Sequence, residues 1–562
     1  MELILVVVGA IVVGAIANRR GLEPALLIVV VAIAASFTPG FRPLEIDSHI
    51  LLTVVLPPLL YSAALNFSFP TFLRNIKPIL GLGVGLVLIT AFTVAAVASW
   101  LVVVPLTFAT ALVLGAVVAP PDAVTAVAVG RKLGLPRRVM SILTGESLIN
   151  DAAALTLFTL AVAHVAGNRT FIENPLLLFG YSAVLGPVIG AGLGYVTLWL
   201  RRRLANPALE TVQGLMVPFA AYLLAEQAHA SGVLAVVFAG FVVGSGTLEA
   251  GYQTRLQERY VWNSVDVLLE AFVFAYIGLH LRFVLEELNA AHRPLVQAAA
   301  VSALVLATVL VIRPLSVFAM FGRGVLARQV EKRLSVPVPE SGGRGALGTR
   351  RAHRDRGSGR TWFDRRGLSW QESVVVSWTG MRGVVTLAAA AAIPATTATG
   401  EPFPERATIQ AIAFVVSVGT LLLQGATLPW LIRRLDLSCA EDEAYVAAET
   451  EKAERALRAA ADRVLARFRD DPPDGVAPAV LADIRAVVAR QAQDADELPN
   501  PDRRTRRAEI VAELYLDVLS AQRAALIAER DAGQLDDEAV RTLLDRLDLQ
   551  EAGVTSRLES RL

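Results

Sequence analysis

Long apolar runs separated by short charged clusters fill the chain from Met1 to about Leu435, and an Arg-, Asp-, Glu- and Ala-dense stretch completes it. A bilayer's hydrocarbon core needs about 20 apolar residues per helix. Breaks at charge clusters and Pro/Gly turns mark 13 candidate spans, near 3–18, 24–37, 50–66, 78–104, 106–130, 138–166, 175–200, 210–229, 231–247, 263–281, 294–322, 371–394 and 407–432. The tail, 436–562, carries helical periodicity (for example Ala508–Arg530) interrupted by DDPPDG and ELPNPD. The pattern predicts an all-α polytopic membrane protein, a transmembrane domain over 1–435 followed by a small cytoplasmic helical domain over 436–562.

Charge placement orients these spans. Lys and Arg concentrate on the cytoplasmic side of membrane proteins. Alternate loops hold 25 of them, including Arg74/Lys77, Arg201–Arg203 and twelve within 323–368, whereas the intervening loops hold five. A miscounted span would invert that asymmetry part-way, and no inversion occurs. The expected topology is multi-pass in the plasma membrane, with the N-terminus outside and the C-terminus cytoplasmic. The first apolar run lacks a basic leading region and a clear small-residue cleavage site, so it reads as a spanning helix rather than a signal peptide. The stretch 323–368, Gly- and Arg-rich with little hydrophobicity, reads as a flexible cytoplasmic loop.

Composition agrees without adding much: 54% of residues are hydrophobic, 18% are charged, and mean hydropathy is +0.53. The net charge of +1 averages two different materials and points to no partner. A single cysteine, Cys439, excludes a disulfide framework and a cysteine metal site. The Gly-spaced GLGVGLV (81–87) and GAGLGY (190–195) lie inside apolar spans with no strand before them, so close helix packing explains them. Nothing suggests a resident cofactor, nucleic-acid binding or enzymatic chemistry.

The candidate chemistry lies in the few ionisable groups placed in mid-span. Each costs on the order of 2.5–3.5 kcal/mol to insert. They are Asp122, Glu146, Asp151, Arg313 and Arg382. Glu226, Asp266 and Glu270 fall closer to span ends and read as solvated or capping groups; His229 and His280 also sit at segment ends. In GESLINDAAALTLF (145–158), helical spacing stacks Ser147 on Asp151 and Glu146 on Asn150. That stripe of carboxylate, amide and hydroxyl oxygens suits a hard cation. A carboxyl group in an apolar medium is also reluctant to ionise, so one site can hold either a proton or a cation. A polar cluster that merely ties helices together stays open as the alternative.

Segment five contains VVAPPDAVTA (117–126), where Pro120 and Pro121 break the helix beside Asp122 and leave carbonyls around Val117–Ala119 unpaired. Segment twelve is interrupted likewise in SWTGMRGVVTLAAA (377–390), at Gly380, Arg382 and Gly383. If segments 1–6 and 8–13 are two six-helix halves, these breaks occupy matching positions in repeats of opposite orientation, with the broken helices crossing near the midplane. Arg382 can stand at that crossing. Arg313, in VIRPLSVF, needs a counter-charge, and Glu146 is the best available. A secondary antiporter fits best; a channel or sodium-coupled symporter, or an intramembrane enzyme or sensor, lacks its filter, substrate cage or catalytic motif here.

GESLINDAAALTLF, APPDAV, GMRGVVTLA and the closing TLLLQGATLPWLIRRL resemble the sodium–proton exchangers of the monovalent cation–proton antiporter superfamily, in the branch with an Asn-Asp pair. The resemblance spans about residues 1–435. It implies a 13-helix inverted-repeat fold, a homodimer in membrane lipid, and a moving core domain beside a dimerisation domain. It also implies alternating access with Na+ and H+ as substrates, Li+ or K+ being alternative cargo, and a role in pH homeostasis. By the same resemblance Asp151 carries ion and proton, Asp122 shares the transported Na+, and Asn150 and Ser147 lie close by. Glu146 pairs with Arg313, Arg382 steadies the crossing, and exchange is electroneutral. Two positions depart from the pattern: Ser62 stands where some relatives carry an acid after PPLLY, and Pro121 stands where many have Thr or Val.

Overall fold

The computed structural model describes residues 2–38, 50–100, 106–122, 124–167, 172, 174–204, 206–247, 250–290, 295–334, 368–437, 440–470 and 505–559. Among them all regular structure is helical, apart from one isolated bridge between Thr396 and Pro402. In chain order the helices are α1 (Glu2–Arg19), α2 (Pro24–Ser36), α3 (Leu51–Leu65), the short α4 (Phe69–Arg74) and α5 (Ile76–Ser99). Then come α6 (Phe108–Val118), α7 (Val124–Leu133), α8 (Arg137–Ala166), α9 (Pro175–Leu204), α10 (Pro207–Gln227) and α11 (Gly232–Gly246). The long α12 (Tyr252–Ala290) and α13 (Leu295–Leu334) precede two half-helices, α14 (Trp370–Trp378) and α15 (Val384–Ala391), and α16 (Arg406–Leu435). The tail forms α17 (Ala440–Asp470), α18 (Thr505–Asp531) and α19 (Asp537–Glu559).

Seven of these helices are long and apolar enough to cross a bilayer, α5, α8, α9, α10, α12, α13 and α16, and five shorter ones, α1, α2, α3, α6 and α11, are apolar too. Large side chains such as Leu176, Val184, Tyr195 and Trp199 on α9, or Val311 and Leu315 on α13, stand exposed on the outside of the bundle. In water such a surface would be a liability; against lipid it costs nothing. Close packing replaces hydrophobic drive between the helices: Gly190 on α9 lies against the Ala235 carbonyl of α11, where a Cβ would collide. The GAGLGY spacing is therefore a packing seam. Two helices widen locally into π-turns, Leu51–Val55 ahead of Pro57 and Pro58, and Gly81–Leu86. A proline lacks the N–H that would close an ordinary turn, so the first widening has a local cause.

Helix ends differ from the apolar pattern where charged residues are paired. The span expected at 263–281 is the middle of α12, which runs from Tyr252 to Ala290. Its polar first turns survive because Glu258 forms a buried pair with Arg201 of α9, and Arg255 one with Asp548 of α19. Hydropathy sees only the apolar stretch of such a helix. The loop reading of 323–368 is corrected at its start, since α13 continues to Leu334; residues 335–367 lie outside the described residues.

Among the described residues the tail helices share an apolar cluster that includes Ala453, Leu519, Leu526, Val540 and Leu544. The tail also docks on one end of the bundle. The buried pairs there set a stability test: Glu258→Ala leaves Arg201 uncompensated and is expected to cost about 3–5 kcal/mol. A clear drop in thermal unfolding temperature in detergent checks it; Glu286→Ala, an exposed pair with Arg282 on the same helix, should leave that temperature nearly unchanged.

Candidate functional site

The site begins with two interruptions. Helix α6 stops at Val118 because Pro120 and Pro121 offer no N–H, and residues 119–122 run without helical structure before α7. Helix α14 is started by a capping box, Ser369 with Glu372, and stops at Trp378; residues 379–383 run without helical structure before α15. The two breaks touch. The Asp122 N–H donates to the Met381 carbonyl at 2.6 Å, and a Cβ at Gly383 would run into the Asp122 carboxylate. Only glycine lets the second break approach the acid of the first so closely.

Arginines fill the open helix ends. Arg382, 2% exposed, donates from Nε to the Val118 carbonyl at 2.9 Å and from Nη2 to the Ala119 carbonyl at 3.3 Å. It also bonds the Gly380 carbonyl, and its own N–H reaches Thr420 Oγ1 on α16 at 2.9 Å. These carbonyls stand at the open C-terminal end of α6, and a cation at a helix C-terminus also meets the negative end of its dipole. Arg313 of α13 serves the other break: its Nε donates to the Val376 carbonyl of α14 at 3.1 Å. Its two terminal nitrogens bind both oxygens of Glu146 at 2.6 and 3.0 Å, a bidentate pair in which each side chain is 2% exposed.

The polar stripe on α8 is thereby divided. Glu146 is engaged by Arg313. Asn150, fully buried, donates from Nδ2 to the Pro121 carbonyl at 2.6 Å, tying α8 to the first break. That bond fixes the amide so that Oδ1 is buried with no partner among the described residues, a free acceptor that can serve a ligand or water. Asp151, 6% exposed, has Asp122 as its charge neighbour. No donor among the described residues reaches the Asp151 carboxylate. Ser147 is half-buried one turn before it on the same helix.

Two acids excluded from the site by sequence reasoning come close to it. Asp266 and Glu270, one turn apart on α12, are both half-buried. Ser62 Oγ of α3 donates to Asp266 Oδ2 at 2.6 Å, and Asp266 Oδ1 is buried without a partner. Glu270 has Asp266, Asp122 and Arg131 as charge neighbours. Ser62 is thus not an empty position: it orients an acid supplied by another helix. Glu226 and His229, by contrast, are exposed, and the His280 ring packs between Tyr276 and Phe283. Among the described residues no cluster of His, Cys, Asp and Glu forms a resident metal centre.

The geometry is that of two broken helices that meet beside buried carboxylates. The family model for the transmembrane sodium/hydrogen exchanger matches residues 4–434. The chain belongs to the sodium/hydrogen exchanger family. A Mycobacterium tuberculosis protein described as an uncharacterized Na+/H+ exchanger is 32% identical over 98% of this chain and 95% of its own length. The Na+/H+ antiporter ApNhaP of Aphanothece halophytica is 26% identical over 81% of this chain and 77% of its own. In fold, the chain resembles the sodium proton antiporter MjNhaP1 of Methanocaldococcus jannaschii, with a TM-score of 0.57 at 18% identity, covering 77% of this chain and 99% of that one. This exchanger-family protein is a multi-pass membrane transporter, not an enzyme. Within it, Glu146→Ala would strand the Arg313 guanidinium, so a loss of about 3–5 kcal/mol is expected, read as a fall in unfolding temperature; unchanged melting would show that the pair does not hold the break.

Proposed function

We propose that the protein exchanges Na+ for H+ by competition at Asp151, electroneutrally and by alternating access. The observation that carries this reading is the neighbourhood of Asp151. Glu146, Arg313 and Arg382 at the crossing are engaged in hydrogen bonds, whereas no donor among the described residues reaches the Asp151 carboxylate and the Asn150 Oδ1 acceptor has no partner among them. Hard cations take oxygen ligands, and the Asp151 and Asp122 carboxylates, Asn150 Oδ1 and the Ser147 hydroxyl provide them. With Na+ absent, a proton neutralises the same carboxylate. A single titrating site that binds either ion, never both, moves no net charge when each half-cycle carries one of them.

Asp266 and Glu270 extend the reading. Their carboxylates continue the acidic surface from Asp122 along α12, and such a lining concentrates cations at its mouth. The 13-span topology with a cytoplasmic C-terminus fits the contacts of the tail. The tail meets the C-terminal ends of α3 and α11 and the N-terminal ends of α8 and α12. With thirteen spans these four ends fall on one side, the side where the basic loops lie. A plasma-membrane homodimer with a moving core, Li+ or K+ as alternative cargo, and a part in pH homeostasis belong to the same reading.

Three outcomes test it in proteoliposomes. Asp151→Asn keeps the shape but removes the titrating group, so exchange should vanish while the protein stays folded; full exchange by this variant would end the proposal. Wild-type exchange should be indifferent to an imposed membrane potential, and a voltage-dependent rate would show net charge movement. Asp266→Asn still accepts from Ser62, so it should raise the half-saturating sodium concentration about tenfold with little change in maximal rate.

A further inference from the structure

The outer wall of the bundle is grooved where α9 and α11 end. Glycines draw these two helices together, Gly190 against the Ala235 carbonyl, Gly194 against Val242 and Gly246 against Leu198. Beside that seam a groove of about 620 Å³ is lined by α4, α9 and α11, with Arg530 of α18 at its edge. Its floor is aromatic: the Phe241 ring, on a residue 2% exposed, lies 5.5 Å from that of Phe69 and 5.8 Å from that of Phe238. Its lip is formed by Tyr195 and Trp199, which are 67% and 58% exposed. Val184, Val188, Tyr195 and Trp199 follow helical spacing, so they share one face of α9, and all four stand exposed. The groove therefore opens on a surface that suits lipid rather than water.

One end of this apolar trough is basic. Helix α9 closes on Arg201, Arg202 and Arg203. Arg201 turns inward to Glu258, Arg203 lies over the Trp199 ring at 4.9 Å, and Arg202 lines the groove. Arg530 reaches the same groove from the tail; its Nε and Nη2 donate to the exposed Asp531 at 2.9 and 2.6 Å. A guanidinium carries five N–H donors, so a carboxylate on one edge leaves others for a second anion. Tyr and Trp favour the level of lipid head groups, where one end of the ring is apolar and the other wet. An aromatic floor leading to two arginines at that level matches an amphiphile with an anionic head. A soluble anion would gain nothing from the floor.

We propose that this groove binds one anionic phospholipid, with an acyl chain on the Phe69, Phe238 and Phe241 floor and the phosphate held by Arg202 and Arg530. Basic pockets at the ends of membrane helices hold anionic head groups in this way, and the planar guanidinium matches pairs of phosphate oxygens. A zwitterionic lipid finds the same floor, but its head group brings a cation towards the arginines. The assignment is independent of the exchange reading above, because none of these residues belongs to the Asp151 crossing.

The test titrates full-length protein in detergent with phosphatidylglycerol or phosphatidylcholine and counts bound lipid per chain by native mass spectrometry. Wild type should hold one phosphatidylglycerol per chain far more tightly than phosphatidylcholine. The double variant Arg202→Ala/Arg530→Ala should bind phosphatidylglycerol about thirtyfold more weakly, the effect of two basic groups. Ala191→Trp, which fills the apolar part of the groove and keeps both arginines, should bind neither lipid. Arg433→Ala/Arg434→Ala removes the same charge from the exposed end of α16 and should bind like wild type. Unfolding temperatures without added lipid should agree across the set, and Ala191→Trp keeps the test open if the arginine variant fails to fold. Undiminished phosphatidylglycerol binding by either groove variant overturns the proposal. So does an equal loss in the α16 variant, which would show general attraction to a basic surface, or displacement of the lipid by inorganic phosphate at equal concentration.

Discussion

Backbone polar groups cannot be left open in a bilayer core, where each one costs several kcal/mol, and two helices of this protein are interrupted in mid-span. Arginine resolves both interruptions. Arg382 occupies the Val118 and Ala119 carbonyls of the first break, and Arg313 occupies the Val376 carbonyl of the second. Each brings a positive charge that must itself be accommodated. Glu146 neutralises Arg313 in a bidentate pair, while Arg382 lies among carbonyls at a helix C-terminus. The guanidinium groups at the crossing thus satisfy the backbone carbonyls opened by both breaks.

These bonds leave Asp151 distinct. Glu146, of the same charge and five residues earlier on the same helix, is committed to a partner; Asp151 has another acid, Asp122, as its charge neighbour, and no donor among the described residues reaches it. Two carboxylates sharing a low-dielectric space need a counter-ion or a proton. Asn150 contributes by its rigidity. Its amide nitrogen is anchored to the Pro121 carbonyl, so movement of α8 and of the α6–α7 break would be coupled through one hydrogen bond. The proline at position 121 removes a side-chain hydroxyl but supplies that carbonyl.

The helical architecture was legible because apolar length and proline or glycine interruption are local properties. The pairing of Glu146 with Arg313 was also within reach, since a buried cation leaves few choices of partner. Arg382 could be assigned to the crossing but not to the carbonyls it fills. Asp266 was misjudged: measured from the apolar stretch it lies near a span end, yet α12 begins at Tyr252, which carries the acid well inside the helix and beside Ser62. The tail contacts were invisible. Arg255 and Asp548, or Leu65 and Arg541, are hundreds of residues apart, and helical periodicity says which face is apolar but not which charge it meets.

The proposed competition between one proton and one cation for Asp151 can be tested without a membrane. Purified protein in weakly buffered detergent solution, held below neutral pH, is titrated with sodium while proton release and heat are followed together. The account predicts that sodium binding releases about one proton per ion bound, and that acidification weakens the binding in proportion. Sodium binding that proceeds with no proton release, and with an affinity indifferent to pH, would contradict it.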